Sequence, residues 1–135
     1  MTSSTPRNEF VADSMAMVLR LEKRKLGQRA KSVMGAVERG EAVLHVPGIV
    51  FAEIMYLSER GRIRASLADV AAYMEQHPKC REYPLSLAVA QCAAEITDIP
   101  ELHDRLIAGT ARLLGVELIT TDPVIQASEF VKTIW

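Results

Sequence analysis

Four acidic side chains stand where a carboxylate can do more than face water: Asp13 in FVADSMA, Glu53 in VFAEIMYL, Asp104 in LHDRLIAGTA and Asp122 in LITTDPVI. Each closes a predicted element or interrupts an apolar face. Brought to one point, four carboxylates repel each other and resist desolvation. A hard divalent cation such as Mg²⁺ relieves both costs. The chemistry open to such a cluster is that of a bound divalent cation, provided the four acids meet.

Each acid also has a plainer explanation. Asp13 and Asp122 precede predicted helices, where Asp is a preferred N-cap, and Pro123 suits the first helical position. Asp104 falls in the first turn of its helix, where the macrodipole favours negative charge. It nevertheless shares a face with Ile107, Ala108 and Ala111, which should be buried. Glu53 is the hardest to explain as surface. It is predicted mid-helix, with Ile49, Val50, Tyr56 and Leu57 three and four residues away. A buried glutamate needs a partner or a metal, and the plainer partner is an arginine in an internal ion pair. Glu22, Glu38, Glu41, Glu59 and Glu75 read as solvated surface. Asp98 and Glu101, close before Asp104, are reserve members of a site.

The elements that must position these residues follow from periodicity. Residues 1–8 are polar and read as a flexible N-terminus. Phe10-Val11-Ala12 is a short strand ending at Asp13, followed by a helix through Met17, Val18 and Leu21. Gly27 divides a basic stretch, Arg20 to Lys31, into two helices, and Gly40 ends the second. Ala42 to Val46 is a strand. Pro47-Gly48 opens the Glu53 helix, which stops near Gly61. Ser66 and Asp69 form a capping box for a helix over 67–76. Arg81 to Leu85 is an edge strand, with Pro84 marking its exit. Ser86 caps an Ala-rich helix to Ile96. Pro100 starts the Asp104 helix, which stops at Gly115. Val116 to Thr120, a short helix after Asp122 and Phe130 to Trp135 complete the chain. Alternating strands and helices predict an α/β fold: a central, mainly parallel sheet of four to five strands flanked by helices, as one domain over 9–135.

Composition narrows the class. The chain has 135 residues, 49% of them hydrophobic, which suits one globular domain with one core. A net charge of −1 argues against a simple non-specific nucleic-acid binder, though not against an acidic centre with a basic rim. Cys80 and Cys92 make no metal-finger pattern and suit a reducing cytoplasm. No signal peptide or membrane-spanning run is visible, so a cytoplasmic protein is expected. Asp13-Ser14-Met15 lacks the Asp-x-Asp of a haloacid-dehalogenase-type phosphatase. A receiver-type domain would need a second acid beside Asp13. No Gly-rich phosphate loop occurs.

DRLIAGTARLLGVELITTD (Asp104 to Asp122), VFAEIMYLSERGRI around Glu53 and VADSMAMVLRL around Asp13 together resemble the PIN-domain family, and within it the VapC-like toxin ribonucleases of toxin–antitoxin pairs. The resemblance runs from about Glu9 to Trp135, and all four family acids find a match. Ala12 departs from the larger aliphatic common before the first aspartate.

The resemblance implies an acidic pocket at the strands' carboxyl ends and Mg²⁺- or Mn²⁺-dependent RNA cleavage. It also implies a homodimer and inhibition by a small cognate antitoxin. On that reading Asp13 and Asp104 are the main metal ligands, and Glu53 and Asp122 complete the shell. Ser14 and Thr120 hydrogen-bond the carboxylates. The basic residues Arg20, Lys23, Arg24 and Arg62 are candidates to track the RNA backbone. The alternative is a non-catalytic interaction module, with Met15, Met17 and Met34 in an apolar groove.

Overall fold

The structure is a computed structural model that describes residues 8–135. Of the N-terminal segment expected to be flexible, residues 1–7 lie outside the described residues. Asn8 belongs with the ordered body instead. Its carbonyl accepts the Val43 amide at 2.9 Å, and its side-chain amide donates to the Glu41 carbonyl.

Five strands form one sheet: β1 (Glu9–Ala12), β2 (Val43–Pro47), β3 (Cys80–Tyr83), β4 (Glu117–Ile119) and β5 (Thr133–Ile134). Their order is β3-β2-β1-β4-β5, and every pairing is parallel. Seven described helices connect them: α1 (Ser14–Leu21), α2 (Gln28–Glu38), α3 (Gly48–Glu59), α4 (Leu67–Gln76), α5 (Leu87–Ala94), α6 (Leu102–Leu114) and α7 (Pro123–Gln126). This is the expected parallel α/β architecture. No described helix is long and apolar enough to cross a membrane.

A parallel sheet covered by helices buries both faces of its central strands, so these read as apolar runs. Val11, Ala12, Leu44, Val46, Leu118 and Ile119 are all fully buried. Met17, Met34, Ile54 and Ile107 close over the sheet from the helices. Each such side chain contributes roughly 1.5–3 kcal/mol by leaving water.

Local signals set the helix ends. Ser66 and Asp69 form the expected capping box, and Ser86 caps α5 through the Val89 amide at 3.3 Å. Gly115 ends α6 in the left-handed region at φ 69°, a conformation that costs glycine little. Gly109 has a packing role. A Cβ there would lie 2.9 Å from the Cβ of Ala93, so its absence lets α6 press its backbone against α5.

Several boundaries differ from expectation: α6 starts at Leu102, capped by Glu101, rather than at Pro100, and the edge strand β3 is Cys80–Tyr83 rather than Arg81 to Leu85. α1 stops at Leu21, well before Gly27, because Lys23 turns left-handed at φ 56° and the Arg24 amide returns to the Leu19 carbonyl. The last strand is Thr133–Ile134 rather than Phe130 to Trp135. Its only neighbour among the described residues, β4, has three residues, and Phe130 is turned back by a hydrogen bond from its amide to the Ser128 hydroxyl.

The strand order puts a reversal at the centre of the sheet. From β1 the chain moves outward through β2 and β3, then returns to add β4 on the other side of β1. The connections leave the carboxyl ends of β1 and β4 in opposite directions. In open α/β sheets the resulting crevice is where ligands bind.

Candidate functional site

Asp13 follows β1 directly at this crevice. Its amide donates to the Ile119 carbonyl at the end of β4, at 3.2 Å. Its backbone is extended, and its Oδ1 accepts the Ala16 amide at 2.8 Å, so it is the N-cap of α1. The residue is only 8% exposed. Burial pushes its carboxyl up to about 6, although the Thr120 hydroxyl and the Ala16 amide oppose the rise, and the charges of Asp122 and Glu53 add to it.

Asp122 leaves the end of β4 on the other side of the crevice. Its Oδ1 caps α7, accepting the Val124 and Ile125 amides at 2.8 and 3.2 Å. Its own amide donates to Thr120 Oγ1 at 3.0 Å. Thr120 is fully buried between the two aspartates and contacts both. Capping therefore explains how Asp13 and Asp122 are held, while their shared location is set by the sheet.

Glu53 arrives on α3, which starts at the carboxyl end of β2. Val50 and Ile54 are buried while Tyr56 is half-exposed, so Glu53 lies on the border of the apolar face rather than inside it. Its Oε1 accepts the Ser14 hydroxyl, which ties the first turn of α1 to α3. The alternative of an internal arginine partner is not realised. Among the described residues, no ion pair involves Asp13, Glu53, Asp104 or Asp122.

Asp104 completes the group from the first turn of α6, whose buried face carries Ile107, Ala108 and Ala111 as expected. Burial pushes its carboxyl up to about 6, followed by the charges of Asp122, Glu101, Glu53 and Asp13. Asp104 therefore senses all three of the other acids. The four segments do converge on the carboxyl ends of β1 and β4.

Of the two reserve acids, Glu101 adjoins the group. It is the N-cap of α6, accepting the Asp104 amide at 2.8 Å, and it pairs with His103 Nδ1 at 2.9 Å. The three-residue spacing of Glu101 and Asp104 was the available signal for this cap. Asp98 is engaged elsewhere, accepting the Ser128 hydroxyl and the Glu129 amide, both at 2.8 Å.

The expected RNA-backbone residues do not join the acids. α1 and α3 start at strand carboxyl ends and carry their last turns away, roughly 12 and 18 Å along their axes. Lys23 and Arg24 lie beyond the end of α1, and Arg62 beyond the end of α3, all exposed. Arg20 is not free: its Nε and Nη2 hold Glu38 at 2.7 and 2.5 Å, and the Tyr73 hydroxyl donates to the same carboxylate at 2.6 Å. A groove of about 1010 Å³ runs among these cations, lined by Lys23, Arg24, Lys25 and Arg64, and none of the four acids lines it.

The donor set fits a hard cation in type: carboxylate oxygens gathered without a counter-charge. Among the described residues, no group of three or more His, Cys, Asp or Glu forms a ready-made cage.

The fold is similar to solved toxin–antitoxin structures. The VapBC2 complex of Rickettsia felis, bound to a DNA fragment from its promoter, matches with a TM-score of 0.72 at 14% identity, over 94% of this chain and 98% of that one. DNA-bound VapBC of Salmonella typhimurium matches with a TM-score of 0.67 at 16% identity, over 93% and 96%. VapC20 of Mycobacterium tuberculosis, described as a sarcin-ricin loop cleaving toxin, matches with a TM-score of 0.62 at 15% identity, over 91% and 97%. No curated protein sequence matches the chain. The family model described as PIN domain matches residues 11–130, a span that contains all four acids. With that span matched and the parallel sheet in place, the chain belongs to the PIN-domain family.

Proposed function

We propose that the protein is a metal-dependent endoribonuclease that hydrolyses RNA phosphodiesters and acts as the toxin of a toxin–antitoxin pair. The observation that carries the reading is the convergence of Asp13, Glu53, Asp104 and Asp122 with no ion-paired cation among the described residues. Family membership and the likeness of the fold to VapC toxins support it. The proposal includes a cytoplasmic location, a homodimer and a small antitoxin partner.

Asp13 and Asp104 would hold Mg²⁺ or Mn²⁺, directly or through water, with Glu53 and Asp122 completing the donor set. When bound, the ion would lower the pKa of a water and neutralise charge on the phosphate. The protein's own part is positioning. Ser14 fixes one oxygen of Glu53, leaving the other to orient the attacking water and take its proton. Thr120 fixes Asp13 against Asp122 across the crevice. Water oxygen bonds to phosphorus, the bond from phosphorus to the 3′-oxygen breaks, and that oxygen takes up a proton. The products carry a 5′-phosphate and a 3′-hydroxyl.

The test compares the wild type with Asp104→Asn on pooled cellular RNA, with EDTA, Mg²⁺ or Mn²⁺. The expected result is metal-dependent cleavage by the wild type alone. Undiminished cleavage by a folded Asp104→Asn protein would sink the assignment.

A further inference from the structure

One side of α3 continues outward from Glu53. Tyr56 and Arg60 follow it by three and seven residues, a spacing that puts all three on one side of a helix. Arg60 closes α3 with helical backbone angles, φ −85° and ψ 0°, so the register holds to the end. The strip runs from the carboxylates towards the basic turn that carries Arg62 and Arg64.

Tyr56 is an unusual residue for such a place. The residue is 49% exposed, so it adds little to the core. The Arg60 guanidinium lies 4.8 Å from the ring centroid and stacks over it. An exposed aromatic ring backed by a cation is the combination that holds single-stranded nucleic acid: the ring takes a base and the cation takes a phosphate. Glu53 lies about 4.5 Å along the axis from Tyr56 on the side of the carboxylates, the exposed Glu59 lies equally far on the other side, and Arg60 is about 6 Å beyond Tyr56. A nucleotide on this strip is therefore a neighbour of one held at the carboxylates.

We propose that Tyr56 and Arg60 form a stacking platform for a base of single-stranded RNA next to the cleaved phosphate. The platform rests on the ribonuclease reading of the carboxylate site. It assigns Tyr56 to the base and Arg60 to the backbone, so the two have different dependences on the RNA.

The test measures binding of a fluorescent single-stranded RNA hexanucleotide by anisotropy, with Ca²⁺ in place of Mg²⁺ and intact RNA checked on a gel. Tyr56→Ala should weaken binding about tenfold, and Tyr56→Phe should restore it. An abasic hexanucleotide should erase the difference between wild type and Tyr56→Ala while leaving the Arg60→Ala defect in place. Arg39→Ala, another exposed arginine, serves as the control for lost charge. Under Mg²⁺, the cleavage defect of Tyr56→Ala should fall mainly on KM. Binding by Tyr56→Ala within twofold of wild type, with only a shift in Tm, would overturn the platform and leave a helix-end contact. If Asp104 is needed for cleavage and Tyr56 is not needed for binding, the platform alone fails. If the wild type neither binds nor cuts RNA, both readings fall.

Discussion

The carboxylates at the strand ends and those at the far ends of α1 and α2 are the same chemical groups in opposite circumstances. At the far end, Glu38 accepts Arg20 and Tyr73, and these partners hold its carboxyl below the usual range. Glu22 accepts the Arg64 and Ala65 amides at 2.7 and 2.9 Å and is also held low. At the crevice, Asp13 and Asp104 have no cationic partner among the described residues and are pushed up to about 6. One region has its charges matched by the fold. The other keeps a charge deficit that none of the described residues meets. The contrast separates acids that hold the structure together from acids kept for a ligand.

The largest expected effect separates the two regions by sign. Asp13→Asn keeps the N-cap but removes a buried charge. Cleavage should fall at least about a hundredfold, while metal-free stability at pH 8 should rise by about 3 kcal/mol, since the carboxyl is raised from 3.8 to about 6 and each unit is worth about 1.4 kcal/mol. Denaturant titration and a cleavage assay on one preparation check both halves. Loss of stability together with activity would break the comparison.

The mirror experiment is Glu38→Gln. It removes a charge-assisted contact from Arg20 and should cost roughly 2 kcal/mol of stability, with cleavage close to wild type. A large loss of cleavage without unfolding would show that the far end takes part in catalysis.

A pH series sharpens the contrast. Asp13 and Asp104 have folded pKa values near 6 against an ordinary value of 3.8, so the folded state binds more protons between those limits. Their ionisation cost is fully present above about pH 6 and fades as pH falls towards 4. Glu38 works the other way: its contribution is present above its ordinary value of 4.5 and is lost as pH falls below it. The metal-free protein should therefore gain Tm, by a few degrees, between pH 7 and 5. Mg²⁺ should raise Tm at pH 7.5 and do less at pH 5. A flat metal-free profile would count against the uncompensated cluster.

The smallest effect is expected at Lys23, exposed and beyond the end of α1. Lys23→Ala should change stability by no more than about 0.5 kcal/mol and cleavage little, since the side chain lies far from the acids. A marked fall in RNA binding would restore the basic stretch as an RNA contact.

The sequence carried the fold well, because each device is local. Capping at Ser66 and Ser86, the glycine stop at Gly115 and the apolar runs of β1, β2 and β4 need only neighbouring residues to be read. The convergence of the four acids needed more, namely their order and the family they resemble. Arg20 shows what was not legible. It looked like part of a basic stretch, yet its partner Glu38 lies on another helix, with Tyr73 on a third. Glu38 in turn looked like solvated surface. Pairing across helices leaves no periodic trace in the chain. Asp98 is similar, since its partners Ser128 and Glu129 arrive only with the segment after α7.

The central reversal of the sheet also has a consequence in time. Asp13 is made well before Asp122, and they become neighbours only when β4 joins β1. A growing chain that holds β1, β2 and β3 already contains Asp13 and Glu53 but has no second wall to the crevice. The last strand to join the middle of the sheet is the one that closes the site, so whatever the four acids do begins only when the domain is nearly complete.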